Sequence, residues 1–145
     1  MTRCIPIWVG EYVGIPFKVR GREANGCDCW GLVRLVLRER YEIDAPSLSD
    51  QYETISDRQQ ISQILNGEAS GWQKIMMDDA RPGDVITMYR VDPQTRTRVE
   101  CHVGVVIAPG WMLHIERDVN SSREEYTGRR HMNQIANFYR WGRAA

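Results

Sequence analysis

Cys29 stands directly after Asp28 and ahead of the apolar run Leu32, Val33, Leu35, Val36 and Leu37. Asp28 suits a helix cap, and the run, with Arg34, Arg38, Glu39 and Arg40 among it, predicts a largely buried helix ending near Tyr41. A cysteine in the first turn of such a helix meets outward-pointing N–H groups and the positive end of the helix dipole. Both stabilise a thiolate and lower its pKa from the free value of about 8.5, which prepares a sulfur nucleophile. The plainer alternative is a buried structural thiol, since unpaired cysteine is among the most buried residue types. A nucleophilic thiol also needs a base, and His102 and His114 are the side chains whose spacing could provide one.

Both histidines fall in a predicted hairpin, with extended runs over 101–107 and 111–116 around the reversal Ala108-Pro109-Gly110. Val103, Val105, Ile107, Trp111, Leu113 and Ile115 form an apolar set of period two on both strands, and that face is the core side. For odd-numbered residues to share a face across the pair, partner numbers must sum to an even number. A three-residue loop over 108–110 satisfies this and pairs His114 with Gly104. His102 and His114 then share the opposite, half-exposed face as diagonal neighbours, about 7–8 Å apart at the backbone, with room left by Gly104. Either histidine alone would read as a solvated polar residue; the pair beside a glycine makes a shared network an equal alternative.

The remaining elements must hold these groups together. Residues 9–27 carry Gly10, Gly14, Pro16, Gly21 and Gly26 and predict a loop able to line a cleft. Residues 44–54 read as loop. A short amphipathic helix is expected over 57–66, capped by Asp57 or Ser56, with Ile61, Ile64 and Leu65 inward and Gly67 as its stop. Arg81-Pro82-Gly83-Asp84 predicts a turn into a strand over 85–91, and 92–97 a polar connection back to the histidine-bearing strands.

The 145 residues suffice for a single domain over 1–145 that buries roughly 68–70% of its extended surface. Nineteen cationic side chains balance nineteen acidic ones, so no global field would draw the chain to nucleic acid or to an anionic membrane. No apolar run approaches the roughly 18 residues needed to cross a bilayer. The first eight residues are too short and interrupted for a secretory signal, so Sec-type export is not expected and the protein is expected to be cytoplasmic when made. Cys4, Cys27 and Cys101 are read as reduced structural thiols. A zinc site from Cys27, Cys29, Cys101 and His102 is disfavoured: the C-x-C spacing is short, and strand alternation turns Cys101 and His102 to opposite faces. The expectation is therefore no metal and no cofactor.

Three blocks together are specific: Gly26-Cys27-Asp28-Cys29-Trp30-Gly31-Leu32-Val33, Arg81-Pro82-Gly83-Asp84-Val85, and His102-Val103-Gly104-Val105-Val106 with Met112-Leu113-His114. In this order, over about residues 12 to 116, the chain resembles the NlpC/P60 cysteine peptidases. Asp28-Cys29-Trp30-Gly31-Leu32, with Trp30 where many members carry serine, is similar to the phage-tail-associated branch. The resemblance implies a papain-like α+β fold, the nucleophile helix packed on an antiparallel β-sheet. It implies Cys29 as nucleophile, His102 as general base and then acid, and His114 as the group orienting His102. Many members carry a tyrosine twelve residues before the nucleophile, where this chain has Phe17; Tyr12 is a candidate replacement for its hydroxyl, beside the Cys29 backbone N–H, as an oxyanion donor.

The implied activity is hydrolysis of peptidoglycan stem peptides between γ-D-glutamate and a diamino acid, by an enzyme incorporated into a phage or prophage tail with tail proteins as partners. Asp28, Trp30 and Phe17 are candidates for substrate contact, and Arg20, Arg22, Arg117 and Arg123 for meeting substrate carboxylates. Arg129, Arg130, His131, Arg140 and Arg143 read as a solvent- or partner-facing surface. Two alternatives stand beside the peptidase: a structural tail-assembly module that kept the fold without catalysis, and an acyltransferase or amidase with a non-wall substrate.

Overall fold

The computed structural model describes residues 5–45, 65, 71–92, 94–117 and 119–142. Among them a ribbon of β1 (Arg22–Glu23) and β2 (Gly26–Cys27) precedes a helix, α1 (Cys29–Tyr41). Six strands follow: β3 (Trp72–Ile75), β4 (Val85–Val91), β5 (Arg98–Ala108), β6 (Trp111–His114), β7 (Ser122–Glu125) and β8 (Ile135–Trp141). They form one antiparallel sheet in the order β3-β8-β4-β5-β6-β7, and α1 packs across β5 and β6. This is the expected α+β arrangement of a cysteine-bearing helix on an antiparallel sheet.

The helix forms where its pattern places it. The Asp28 carboxylate caps the first turn by accepting from the Gly31 N–H, and Glu42 closes the last turn in the left-handed conformation at φ 55°. From Cys29 to Leu37 every residue except Arg34 is buried. Gly31 is required by contact rather than by conformation: a Cβ there would lie 1.9 Å from the Gly21 carbonyl oxygen. The helix start is thereby pressed against the segment before it.

That segment holds more structure than the expected loop. Ile7–Tyr12 forms a 3-10 helix, and Phe17 bridges to Cys27 beside the β1–β2 ribbon. Ser121 fastens it to the far end of the sheet, since its Oγ accepts from the Ile15 N–H and donates to the Tyr12 carbonyl. Backbone bonds from Gly14 to Ser121 and from Ser121 to Ile15 complete the clasp. The helix expected over 57–66 lies outside the described residues apart from Leu65, which is buried. Strands β3, β7 and β8 have no counterpart in the expectations. The all-polar β7, Ser-Arg-Glu-Glu, is an edge strand, where charge guards against pairing with another chain.

Both sheet faces are packed. Val85, Val103, Val105, Ile107, Leu113, Ile115 and Tyr139 join the core of α1, which is the period-two face expected. Ile86, Met88, Val106, Met112, Tyr126 and Phe138 build a second, smaller core on the other side. The histidine face is therefore not half-exposed, and His102 and His114 are each only 1% exposed.

Register is as derived at the critical place: His114 pairs with Gly104, Leu113 with Val105 and Met112 with Val106. The reversal itself is tighter. Ala108 pairs with Trp111 and Ile107 is bulged, so the turn is Pro109-Gly110, with Gly110 at φ 83°. A two-residue turn plus one bulged residue preserves the even sum that a three-residue loop would give. A second bulge falls at Cys101, between the pairs Met88 with His102 and Tyr89 with Glu100. Strict alternation fails there, so the argument that turned Cys101 and His102 to opposite faces does not hold.

Gly31→Ala tests the contact that seats α1. Overpacking of this kind costs about 1–3 kcal/mol, and more when the obstacle is backbone. The variant is expected to show a lowered urea midpoint at unchanged slope, whereas Gly10→Ala, with nothing within 4 Å of the added carbon, stays near wild type.

Candidate active site

At the start of α1, Asp28 is buried and accepts hydrogen bonds from Gly31 N at 2.7 Å, from Arg20 N at 3.0 Å and from Arg22 Nη1 at 2.8 Å. Arg22 also donates to the Gly21 carbonyl. The arginine charge offsets the carboxylate charge beside Cys29, so the helix end retains its positive character. These bonds hold Asp28 and the Arg22 guanidinium against the helix start. Trp30 is 0% exposed and meets Trp72 edge-on, so its side chain is turned into the core and not toward a substrate, which corrects the expectation for it. Cys29 is 6% exposed and packs in the α1 core with Val103 and Leu113.

The two histidines are brought together. His102 Nε2 lies 2.9 Å from His114 Nδ1, with the rings edge to face at 78°. Gly104 makes room for this, because a Cβ there would meet the Leu113 carbonyl at 3.0 Å and the His114 Cβ at 3.3 Å. Beyond His114 the network continues through residues to which no motif pointed. His114 Nε2 is 2.5 Å from Glu124 Oε2, and the same carboxylate receives Ser122 Oγ at 2.9 Å, His131 Nε2 at 2.9 Å and Arg130 Nη1 at 3.0 Å. A second carboxylate, Glu116, approaches His102 Nε2 to 3.8 Å and is held by the Arg90 guanidinium.

Burial alone would raise the Glu124 pKa. Hydrogen bonds from His131, His114 and Ser122 outweigh it and hold the carboxyl at about 2. For His114 burial is the larger influence and lowers its pKa below the ordinary 6.5, against the pull of Glu124. Glu116 also stays low, its burial outweighed by Arg90. The arrangement sets His114, whose burial disfavours its charged form, against an ionised carboxylate, and it is suited to passing hydrogen-bond polarity and holding one ring in one tautomer.

A model of the NlpC/P60 family matches residues 14–137. The chain belongs to the NlpC/P60 family. Among solved structures it is similar to an NlpC/P60 family protein from Bacillus cereus ATCC 10987, at TM-score 0.61 and 20% identity over 91% of this chain and 37% of that one. A lipoprotein-like NLP/P60 family protein from Staphylococcus aureus Mu50 gives 0.59 and 17% over 92% and 38%. The NlpC/p60 domain of the peptidoglycan hydrolase SagA gives 0.56 and 18% over 91% and 94%. These likenesses concern the fold, and the chain spans well under half the length of the first two. No curated protein is matched.

In this NlpC/P60 chain the hydroxyl of Tyr12 does not replace the one absent at Phe17. Tyr12 donates to Glu39 Oε1 at 2.6 Å and accepts from Arg40 Nε at 3.1 Å. Ten residues of helix separate that anchor from Cys29, about 15 Å of rise. Phe17 is partly buried against the α1 core. Arg20 and Arg117 are exposed, and Arg123 covers Trp111. Of the residues read as surface, His131 is buried and bonded to Glu124, and Arg140 grips the buried Asp84 at 2.9 and 2.8 Å. Arg130 pairs with Glu124, Arg129 is exposed, and Arg143 lies outside the described residues, as does Cys4.

Cys27, Cys29 and Cys101 are thiols, not disulfide partners. Cys27 is structural: burial pushes its pKa up to about 12, and its Sγ donates to the Glu23 carbonyl. Among the described residues the ligand sets that converge are not the one weighed from sequence. They are His102, His114 and Glu116, and His114, Glu124 and His131, each with ligand atoms within 4.8 Å.

Two predictions follow from these contacts. Asp28→Asn keeps a cap but removes the charge facing Arg22, whereas Asp28→Ala removes both. Disrupting a buried ion pair costs about 3–5 kcal/mol and losing a cap about 1 kcal/mol, so chemical unfolding should rank wild type above Asn above Ala. The second concerns acid. The folded chain resists protonating His114 while the unfolded chain accepts the proton near 6.5, so the unfolded state binds more protons as pH falls. Stability is then full above that value and declines below it. Thermal melts from pH 8 to 5 should show this decline, reduced in His114→Gln.

Proposed function

We propose that the chain is a cysteine endopeptidase acting on peptidoglycan stem peptides, with Cys29 as nucleophile and His102 as its base. The observation that carries this reading is the buried His102–His114 pair, 2.9 Å apart, in a family domain whose helix begins at the cysteine. His102 Nε2 is directed at His114, and in this reading Nδ1 is the nitrogen that takes the proton of the Cys29 thiol. The Cys29 sulfur attacks the amide carbonyl, and the proton taken by His102 goes to the leaving amine. Water, deprotonated by His102, then hydrolyses the thioester and restores the thiol. The Cys29 backbone N–H is the oxyanion donor, since amides of a first helical turn point out of the helix end.

The substrate class rests on the family and on the likeness to the domain of the peptidoglycan hydrolase SagA. The bond is the one between γ-D-glutamate and a diamino acid, and delivery is by a phage or prophage tail. This last point rests on the block Asp28-Cys29-Trp30-Gly31-Leu32.

Digestion of purified cell-wall fragments, with new termini read by mass spectrometry, tests activity and bond choice together. Wild type is expected to release a free amine on the diamino acid, and Cys29→Ala and His102→Ala to lose at least about 1,000-fold in rate. Full cleavage by Cys29→Ala would overturn the reading. A folded wild type with no turnover would instead favour the structural tail module.

A further inference from the structure

We propose that Glu124 is a positioning residue that, through His114, fixes the Nε2–H tautomer of His102 and leaves Nδ1 as the base for Cys29. The inference rests on the assignment of Cys29 and His102 above and adds a fourth member to their line. An ionised carboxylate can only accept, so each imidazole nitrogen bonded to Glu124 carries a proton: His114 Nε2 and His131 Nε2. A neutral His114 protonated at Nε2 has a lone pair at Nδ1. That lone pair faces His102 Nε2 at 2.9 Å, so His102 must donate there. A neutral His102 with its proton on Nε2 has its own lone pair on Nδ1.

The proton count then closes without an outside acceptor. On activation one proton passes from Cys29 Sγ to His102 Nδ1, the positive charge spreads over the His102 ring, and no other bond in the line has to break. Glu124 faces that charge through His114.

The other groups on this column are accounted for. Glu116, beyond the end of β6, is 3.8 Å from His102 Nε2, and its charge is matched by Arg90 from β4. Arg130 pairs with Glu124 from a largely exposed position, where solvent screens it. Ser122 on β7 donates to Glu124 Oε2, the oxygen that His114 uses, while His131 bonds Oε1. His131 packs edge to face on His114 at 5.3 Å and has a buried Nδ1 with no hydrogen-bond partner.

The test reads the thiol, not wall cleavage. The alkylation rate of Cys29 by iodoacetamide is measured against pH on the full chain, in chelator, following the Cys29 peptide by mass spectrometry. Wild type should react well below the free-thiol midpoint of about 8.5. Glu124→Gln should move that midpoint up by one unit or more, a roughly tenfold loss of rate on the acid side, and Glu124→Asp should restore most of it. A displaced wild-type profile that Glu124→Gln leaves in place overturns this inference alone. An ordinary wild-type profile, unchanged in His102→Ala, overturns the Cys29–His102 reading and this inference with it. Should Glu124→Gln not fold, long-range ¹H–¹⁵N imidazole spectra of Cys29→Ala decide the matter. Protons on Nε2 of His102 and His114 support the inference, and a proton on His114 Nδ1 overturns it.

Discussion

The carboxylate of Glu124, set between two imidazoles with a serine and an arginine at its margins, is the interaction on which the histidine face is built. Burying His102, His114 and His131 without partners would cost more than their apolar surface returns. Each ring needs an acceptor on that face, and one ionised carboxylate serves two rings directly and a third through His114. The benefit is reciprocal, because the same donors keep the carboxylate charged despite its burial. Two edge-to-face ring contacts, His102 on His114 and His114 on His131, let polar side chains fill space beside the small core of Met88, Val106 and Met112.

The thiol is positioned by a different kind of constraint. Asp28 is simultaneously helix cap, ion-pair partner and acceptor for the Arg20 amide, so the helix start cannot drift without losing all three. Gly31 allows the Gly21 carbonyl to press against the first turn, and Ser121 ties residues 12–15 to the loop ahead of β7. Sulfur and imidazoles are thus carried by separate elements, a capped helix and a packed ribbon. The sheet beneath α1, lined by Val103, Val105 and Leu113, connects them as a rigid apolar layer.

The helix and the pairing of His114 with Gly104 were legible because each follows from a local rule, a cap before an apolar run and the parity of a hairpin. Parity survived even though the turn has two residues, since the bulge at Ile107 supplied the missing one. The polar network was only half legible. Glu124 and Ser122 stand two apart, as a strand facing Met112 and His114 requires, but Ser-Arg-Glu-Glu carries no apolar member to reveal a strand. His131 lies in a turn and reaches Glu124 only through the path of the chain after β7, so no spacing rule could find it. Tyr12 misled because nearness in sequence to a motif says nothing of which end of α1 a side chain meets. Trp30, beside the nucleophile in sequence, likewise points into the core because adjacent helical residues face different ways.

Strand β8 is made after every other strand described here, yet it lies inside the sheet, hydrogen-bonded to β3 on one side and β4 on the other. His131 comes only four residues before it. A ribosome must therefore release residues 135–141 before the sheet can close, and a nascent chain stalled earlier holds its thiol in an unfinished frame. Pairings this distant in sequence form late. Until then β3 and β4 lack the strand that joins them, and the frame around the helix stays open at its centre.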